Sequence, residues 1–365
     1  MTHSEPYESD FEEYLRHVDA SKKEKKLAWS TAIGLQQVDG LKPSAYLYET
    51  AKRNIEGEVS FEEAKNLIDS YYNHRTSRRD NDESGTEEAD KVSSRIAQIL
   101  SEPSFNFSPS HLIAIHKRLF EGVFKFAGKV RDYDITKKEW VLNGDTVIYG
   151  AAFELKSALE YDFEQERKFS YKNISDDEIV HHIAFFVSRL WQIHAFGEGN
   201  TRTTAVFTIK YLRFLGFKAD NDIFAQNSWY FRNALVRANY NNLQKGIHEN
   251  PLYLERFFQN LLFGGHNELK NRYTHIDYDE YVKNLPVNDR NMPVNGVNLP
   301  VNKIQAKLLK LLQENPNYTY NELAEKLLRT RETVRANLRI LEKLGLIKRI
   351  GADKNGHWEI VENLF

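Results

Sequence analysis

The chain has no cysteine among its 365 residues. That absence excludes disulfides, thiolate metal sites and a cysteine nucleophile, and it fits a reducing compartment. An excess of one charge is lacking too. Lysine and arginine number 50 against 52 aspartates and glutamates, a formal net charge of -2, so the whole molecule is not drawn to nucleic acid or an acidic membrane. No apolar run is long enough to span a bilayer, and the opening MTHSEPYESDFEEYLRHVDA is acidic and polar, without the apolar core of a signal peptide. These absences point to a cytoplasmic protein with no membrane partner. What is present, 41% hydrophobic and 28% charged residues, is the composition of a globular chain whose length calls for two or three folded units.

From about Asp10 to Phe263 apolar residues recur at intervals of three and four, which predicts a mainly α fold. Ser60 with Glu63 and Ser175 with Glu178 read as capping boxes, and Ser108 ahead of Pro109 as a helix start. The polar stretch from Asn73 to Lys91 reads as a solvated loop. In ITKKEWVLNGDTVIYG, β-branched and aromatic residues flank Asn143-Gly144, the signature of a β-hairpin. Further on, LPVNDRNMPVNGVNLPVN repeats a Pro-Val-Asn unit every seven residues. Proline at that frequency forbids a coiled coil, so residues 284–302 read as an extended linker. Beyond it the order helix, helix, short turn, helix, hairpin predicts a small α+β winged helix-turn-helix domain over 303–365. Thr319 and Glu322 cap its second helix, Thr330 starts the third, Gly345 ends it, and Lys354-Asn355-Gly356 turns two strands. Arg331, Arg335, Arg339 and Lys343 fall at intervals of four on the third helix, a basic face suited to DNA. Acidic residues nearby almost balance it, so packing against a partner or a second copy competes with DNA binding. Ahead of the linker, residues 1–110 read as a helical N-terminal region and 111–265 as a helical core.

The stretch IHAFGEGNTRTTAVF, Ile193 to Phe207, has a composition that no fold requires. One helix must end near His194, because Gly197 and Gly199 follow, and another must begin near Asn200. The loop therefore sits at a helix N-terminus, where unpaired N–H groups and the macrodipole favour an anion such as phosphate. Phe196 reads as apolar packing that shapes the loop. Gly197 and Gly199 let backbone amides approach phosphate oxygens, and Asn200 can donate from both main chain and side chain. Arg202 offers a planar charged fork. Glu198 is a hard oxygen ligand suited to Mg²⁺, and His194 can take a proton near neutral pH. A histidine at a helix end is commonly only a cap; the gathering of base, carboxylate, amide nest and arginine within nine residues points instead to nucleotide phosphate transfer.

HAFGEGNTR resembles the signature of the Fic (filamentation induced by cAMP) family, His-x-Phe-x-Asp/Glu-Gly-Asn-Gly/Lys-Arg. LIAIHKRLFEGVFKFAGKVRDYDITKKEW resembles that family's preceding helix, Gly-x-x-Arg turn and flap, and ETAKRNIEGEVSFEEA its Ile-Glu-Gly segment. The likeness covers roughly Tyr46 to Phe263. It implies a Fic-type helical domain with a β-hairpin flap, acting as a protein adenylyltransferase that moves AMP from ATP to a Ser, Thr or Tyr hydroxyl of a target protein or of the chain itself. By position it implies His194 as general base, Glu198 as Mg²⁺ ligand, Gly199 and Asn200 as phosphate nest and Arg202 as clamp. It also implies Asn143-Gly144 as the flap tip, and Tyr230 and Phe231 beside the adenine. Three positions depart from the family pattern. Thr201 stands where glycine or lysine is usual, placing a side chain beside the nest. Ala205 stands where a second arginine is common. Self-inhibited relatives carry Ser/Thr-x-x-x-Glu, and here Lys52 precedes Glu56, which makes Glu56 a regulatory candidate reduced in strength.

Two other functions compete. One is another Fic chemistry such as phosphorylation, against which Glu198-Gly199-Asn200 follows the AMP-transferring pattern. The other is a DNA-binding regulator whose Fic domain senses nucleotide or is inactive. Target identity and assembly, a homodimer included, are not written in the sequence.

Overall fold

The computed structural model describes residues 6–74, 81–219, 221–278, 303–327, 331–343, 347–350 and 357–360. They divide into two compact units between Thr274 and His275. The linker over 284–302, Thr330, Gly345 and the Lys354-Asn355-Gly356 turn lie outside the described residues.

The first unit is helical: α1 Pro6–His17, α2 Lys23–Gly34, α3 Ala45–Glu56, α4 Phe61–Asn73, α5 Asn81–Ser101, α6 Pro109–Phe120, α7 Leu155–Lys168, α8 Asp176–Ile193, α9 Asn200–Phe214, α10 Ile223–Ala238 and α11 Leu252–Phe263. Its axis is α9, buried at every residue from Asn200 to Leu212, with α5, α6 and α8 packed around it. Burying a helix on all sides removes its polar residues from water, so each needs a partner inside the protein. Lys210, for example, donates to the Glu102 carbonyl. An aromatic group of Phe107, Phe163, Phe186, Phe207 and Tyr211 fills the space between α7, α8 and α9. Rings of this size supply much of a core's apolar area. On the other side α2 lies flush on α10. A Cβ at Gly34 would sit 2.2 Å from the Ala225 carbonyl oxygen, so glycine sets that approach.

The helix starts follow the local code. Ser60 with Glu63 and Ser175 with Glu178 form reciprocal capping boxes, and the Ser108 hydroxyl accepts from the His111 N–H with Pro109 in the first turn.

Two sequence expectations are corrected. Most of the stretch from Asn73 to Lys91 is helix, since α5 starts at Asn81. From Ala89 a buried stripe runs on through Val92 and Ile96 along the same helix, and Asp90 is anchored by the Ser44 N–H (2.8 Å), the Ser44 hydroxyl and the Tyr72 hydroxyl (2.7 Å). The polar look of the stretch is that of an amphipathic helix. The hairpin around Asn143-Gly144 is likewise not formed as a pair of strands. Trp140–Leu142 is a 3₁₀ turn, Asn143 and Gly144 both take positive φ, and Glu139 closes the loop, its N–H donating to the Asp145 carbonyl (2.9 Å) and its carbonyl accepting the Gly144 N–H (2.9 Å). Val141, Leu142, Val147 and Tyr149 are buried, so the segment is held by its side chains rather than by a ladder.

The second unit contains α12 Lys303–Glu314, α13 Tyr320–Leu327, α14 Arg331–Lys343 and an antiparallel pair, β1 Ile347–Ile350 with β2 His357–Ile360 in the register Ile347↔Ile360 and Ile350↔His357. Thr319 and Glu322 bond reciprocally at the start of α13. Leu308, Leu312, Leu323, Val334, Leu338 and Trp358 form its core. This is the expected winged helix. Among the described residues no helix is long and apolar enough to cross a membrane.

Candidate active site

Helix α8 ends at Ile193, and His194 caps it in the left-handed region (φ 50, ψ 55). A non-glycine residue held there is uncommon and needs surrounding structure to enforce it. Arg131 does so. Buried itself, it donates from Nε to the His194 carbonyl (2.8 Å) and from its other nitrogens to the carbonyls of Tyr133 and Gly150, while the Arg131 N–H bonds the Ala195 carbonyl (2.9 Å). The His194 ring lies between Tyr149, centroids 4.1 Å apart, and the edge of Trp191 at 5.4 Å. It is 3% exposed, and neither ring nitrogen has a hydrogen-bond partner. Burial first, then the positive charge of Lys137, hold its pKa well below the ordinary histidine value, so the ring is neutral at pH 7.

The loop from Ala195 to Gly199 is fixed from two sides. Asn200 closes it from within: its side-chain NH₂ donates to the Phe196 carbonyl (2.7 Å), and its oxygen accepts the Phe196 N–H (3.0 Å). His116 closes it from outside. Its Nδ1 accepts the Gly128 N–H (2.9 Å), so Nε2 carries the proton and donates to the Glu198 carbonyl (3.0 Å). The same ring stacks on Phe196 at 3.7 Å, and burial lowers its pKa to about 4. Gly199 precedes α9 with φ +77, and a Cβ there would stand 2.4 Å from the Phe120 ring. At Gly197 a Cβ would meet the Tyr133 hydroxyl at 2.7 Å. Gly199 is required by both space and conformation, whereas the hydroxyl facing Gly197 ends an exposed tyrosine that can move aside. The result is a loop delivering the first N–H groups of α9, which have no partner within the helix, to one point.

Several side chains do other work than the sequence reading gave them. Asn200 is spent on the loop, leaving its N–H for an anion. Thr201 turns away from the nest, its hydroxyl accepting from the Trp191 indole (3.0 Å). Arg202, 1% exposed, already has partners on both arms of its fork: Nη1 donates to Gln36 Oε1 (3.0 Å), Nη2 to Glu88 Oε1 (2.6 Å), and Nε lies 2.8 Å from Asp39 Oδ2 without pointing at it. Its plane rests over Phe120 at 4.9 Å. Tyr230 and Phe231 are core residues. Tyr230 donates to the Tyr253 carbonyl (3.2 Å), and Phe231 packs among Phe224, Phe257 and Phe258. Their neighbours Trp229 and Arg232, on the helix past the kink at Asn227, line the cleft instead. Glu56 is also elsewhere: at the end of α3 it binds Lys22 and the Tyr14 hydroxyl, and it lines no part of the cleft.

The cleft in front of α9 has a volume of about 730 Å³ and is walled by Asp39, Glu88, Glu198, Arg202, Trp229 and Arg232. Trp140 and Lys138 close it from the segment that carries Asn143-Gly144. Glu198 presents its carboxylate at the mouth, bonded to Lys137 Nζ (2.8 Å). Arg232 is held by buried Glu139 (2.9 Å), whose carboxyl burial pushes above the usual carboxylate range. Sequence reasoning missed Asp39, Glu88, Lys137, Trp229 and Arg232. The first two come from helices far away in the chain, and the last two are one position off the aromatic pair it chose. Among the described residues no cluster of three or more His, Asp or Glu could cage a metal. Glu198 alone therefore fits only a cation that takes one carboxylate and fills its shell with water and substrate oxygens, as Mg²⁺ does.

Residues 106–212 match the model of the Fic/DOC family, and residues 301–348 that of a winged helix-turn-helix DNA-binding family. The chain carries a Fic domain and a C-terminal winged helix. A curated relative, the protein adenylyltransferase VbhT of Bartonella schoenbuchensis, is 29% identical over 119 residues, 33% of this chain and 24% of that protein. The match thus spans about a quarter of the relative. Among solved structures, the N-terminal Fic domain of a cell filamentation protein with bound ADP from Bartonella quintana is 20% identical, covering 51% of this chain and 88% of that one (TM-score 0.41). BepC of Bartonella tribocorum with bound AMPPNP is 19% identical over 53% and 91% (TM-score 0.40), and a Fic family protein from Desulfovibrio desulfuricans 12% identical over 98% and 97% (TM-score 0.39).

Proposed function

We propose that the Fic domain carried by this chain transfers AMP from ATP to a hydroxyl of a protein side chain. The reading rests on one observation: a neutral imidazole, His194, is buried with both ring nitrogens unpartnered, immediately before the loop that opens α9. A buried polar group without a partner costs free energy, and such strain gathers at reacting sites. The target hydroxyl gives its proton to the His194 ring as its oxygen attacks the α-phosphorus. The bond from that phosphorus to the oxygen bridging to the β-phosphate breaks, and pyrophosphate leaves. The amides of Gly199, Asn200 and Thr201 hold the phosphate oxygens, and Glu198 would hold Mg²⁺. When bound, that ion neutralises phosphate charge. Phosphate reaches the Arg202 fork only by taking over contacts that Glu88 makes. Asn143 and Gly144 form the tip of the segment facing the cleft, whose backbone can receive an extended target. The adenine stacks on Trp229, which supplies the aromatic face that Tyr230 and Phe231 do not.

The VbhT relative, named an adenylyltransferase, supports this reading over phosphorylation. Incubation with α-labelled and γ-labelled ATP, followed by intact mass, tests it. Label from the α-position alone and an added AMP are expected, and His194→Ala is expected to abolish transfer while keeping nucleotide binding. Label from the γ-position would refute it. A second reading belongs to the C-terminal unit: Arg331, Arg335 and Arg339 are all exposed on one helix, so that unit binds DNA through α14. Arg335→Ala should then reduce the salt dependence of duplex binding by about one ion.

A further inference from the structure

Glu198 already has a cation. Lys137 Nζ stands 2.8 Å from its Oε2, and Lys137 is the more covered of the two side chains, 23% exposed against 52%. The other acid–base pairs at the cleft are held more firmly. Arg202 is buried between Glu88 and Asp39, and Arg232 meets both oxygens of buried Glu139. The Lys137 contact is single and half open to water, so it is the weakest of the three and the first to exchange. Its main chain is fixed by the N–H bond to Thr146 Oγ1 (3.3 Å), but its four-carbon stem can swing the ammonium across the mouth.

We propose that Lys137 is the resident cation of Glu198: a magnesium-bound nucleotide enters by replacing the ammonium on that carboxylate, and the displaced ammonium moves onto the nucleotide's phosphates. This rests on the nucleotide-site reading above. Lys137 is a positioning residue that supplies one positive charge to whichever oxygens lack the metal. It follows that the wild-type chain holds ADP without metal better than the loop amides alone would, and that metal adds comparatively little.

The test is calorimetric titration of the full chain with ADP, in EDTA and in Mg²⁺, read as the ratio of the two Kd values. Lys137→Met should raise that ratio by about three- to fivefold, by weakening metal-free binding and leaving Glu198 to the metal. Lys137→Arg, which keeps the charge, should stay within about twofold of wild type. Glu198→Gln should bring the ratio toward one. A Lys137→Met chain that is folded, binds ADP and shows the wild-type ratio overturns the inference while leaving the nucleotide site standing. A wild-type chain that binds ADP in neither condition overturns both.

Discussion

Glu88→Gln is the most telling single change in this chain. Arg202 Nη2 bonds Glu88 Oε1 at 2.6 Å, with the arginine 2% and the glutamate 20% exposed. A bond to a charged group is worth about 1.5–3 kcal/mol and a neutral one about 0.5–1.5 kcal/mol. Glutamine keeps the shape and one acceptor, so the substitution weakens the hold on the fork by about 1–1.5 kcal/mol. The same amount becomes available to a phosphate competing for that fork. ATP should bind about five- to tenfold more tightly, while stability in urea falls by about 1 kcal/mol. Asp39→Asn is the internal control. Asp39 is more exposed, at 31%, and the Arg202 Nε–H does not point at it, so its effect should stay below about threefold. Isothermal titration with ATP reads both. A folded Glu88→Gln protein whose affinity for ATP is unchanged or weaker would refute the reasoning, and Arg202 would then be a structural rivet with no part in binding.

Three further outcomes are expected. Because burial keeps His194 neutral well below the usual histidine value, AMP transfer should stay flat from pH 7.5 down to 6.5, with its acid limb lower; a limb centred at or above 6.5 contradicts this. The same group binds a proton in the unfolded chain before the folded one, so its contribution to stability falls as pH drops below that value. Gly199→Ala should abolish nucleotide binding in a protein that still melts cooperatively, since a methyl would meet Phe120 at 2.4 Å and strain the left-handed turn; calorimetry showing wild-type affinity would contradict it. Asp90, its carboxyl raised to about 6 by burial, binds a proton in the folded chain before the unfolded one, so it contributes stability at pH 4 that is lost as pH rises through 6, about 2–3 kcal/mol. Asp90→Asn should flatten that part of the stability profile, and a profile identical to wild type in denaturant melts at pH 4.5 and 7 would count against it.

What the sequence revealed was what is local. Capping boxes at Ser60 and Ser175, and the break between α8 and α9, depend on residues within three or four positions, and all stand where they were read. The places of His194, Glu198 and Gly199 in the fold, between the end of α8 and the start of α9, were legible for the same reason. Arg202 shows the limit: its partners Glu88 and Gln36 lie 114 and 166 residues away, and no spacing rule names them. Tyr230 and Phe231 came from the family likeness by position, and in this chain they face the core while Trp229 and Arg232 beside them line the cleft. Asn143-Gly144 did mark a turn with positive φ, but buried side chains on both flanks won over strand pairing.

Gly34 has a consequence for substrate size. Residues shortly after it, Gln37 and Asp39, form one jaw of the cleft, and Trp229 and Arg232, about one and two turns past its contact at Ala225, form the other. The gauge of the opening is therefore set outside the opening, by how closely two helices touch at a residue with no side chain. A methyl at that point would act as a shim. It would push the jaws apart without altering any group that lines the cleft, so a Gly34→Ala chain should accept bulkier purine analogues than wild type does.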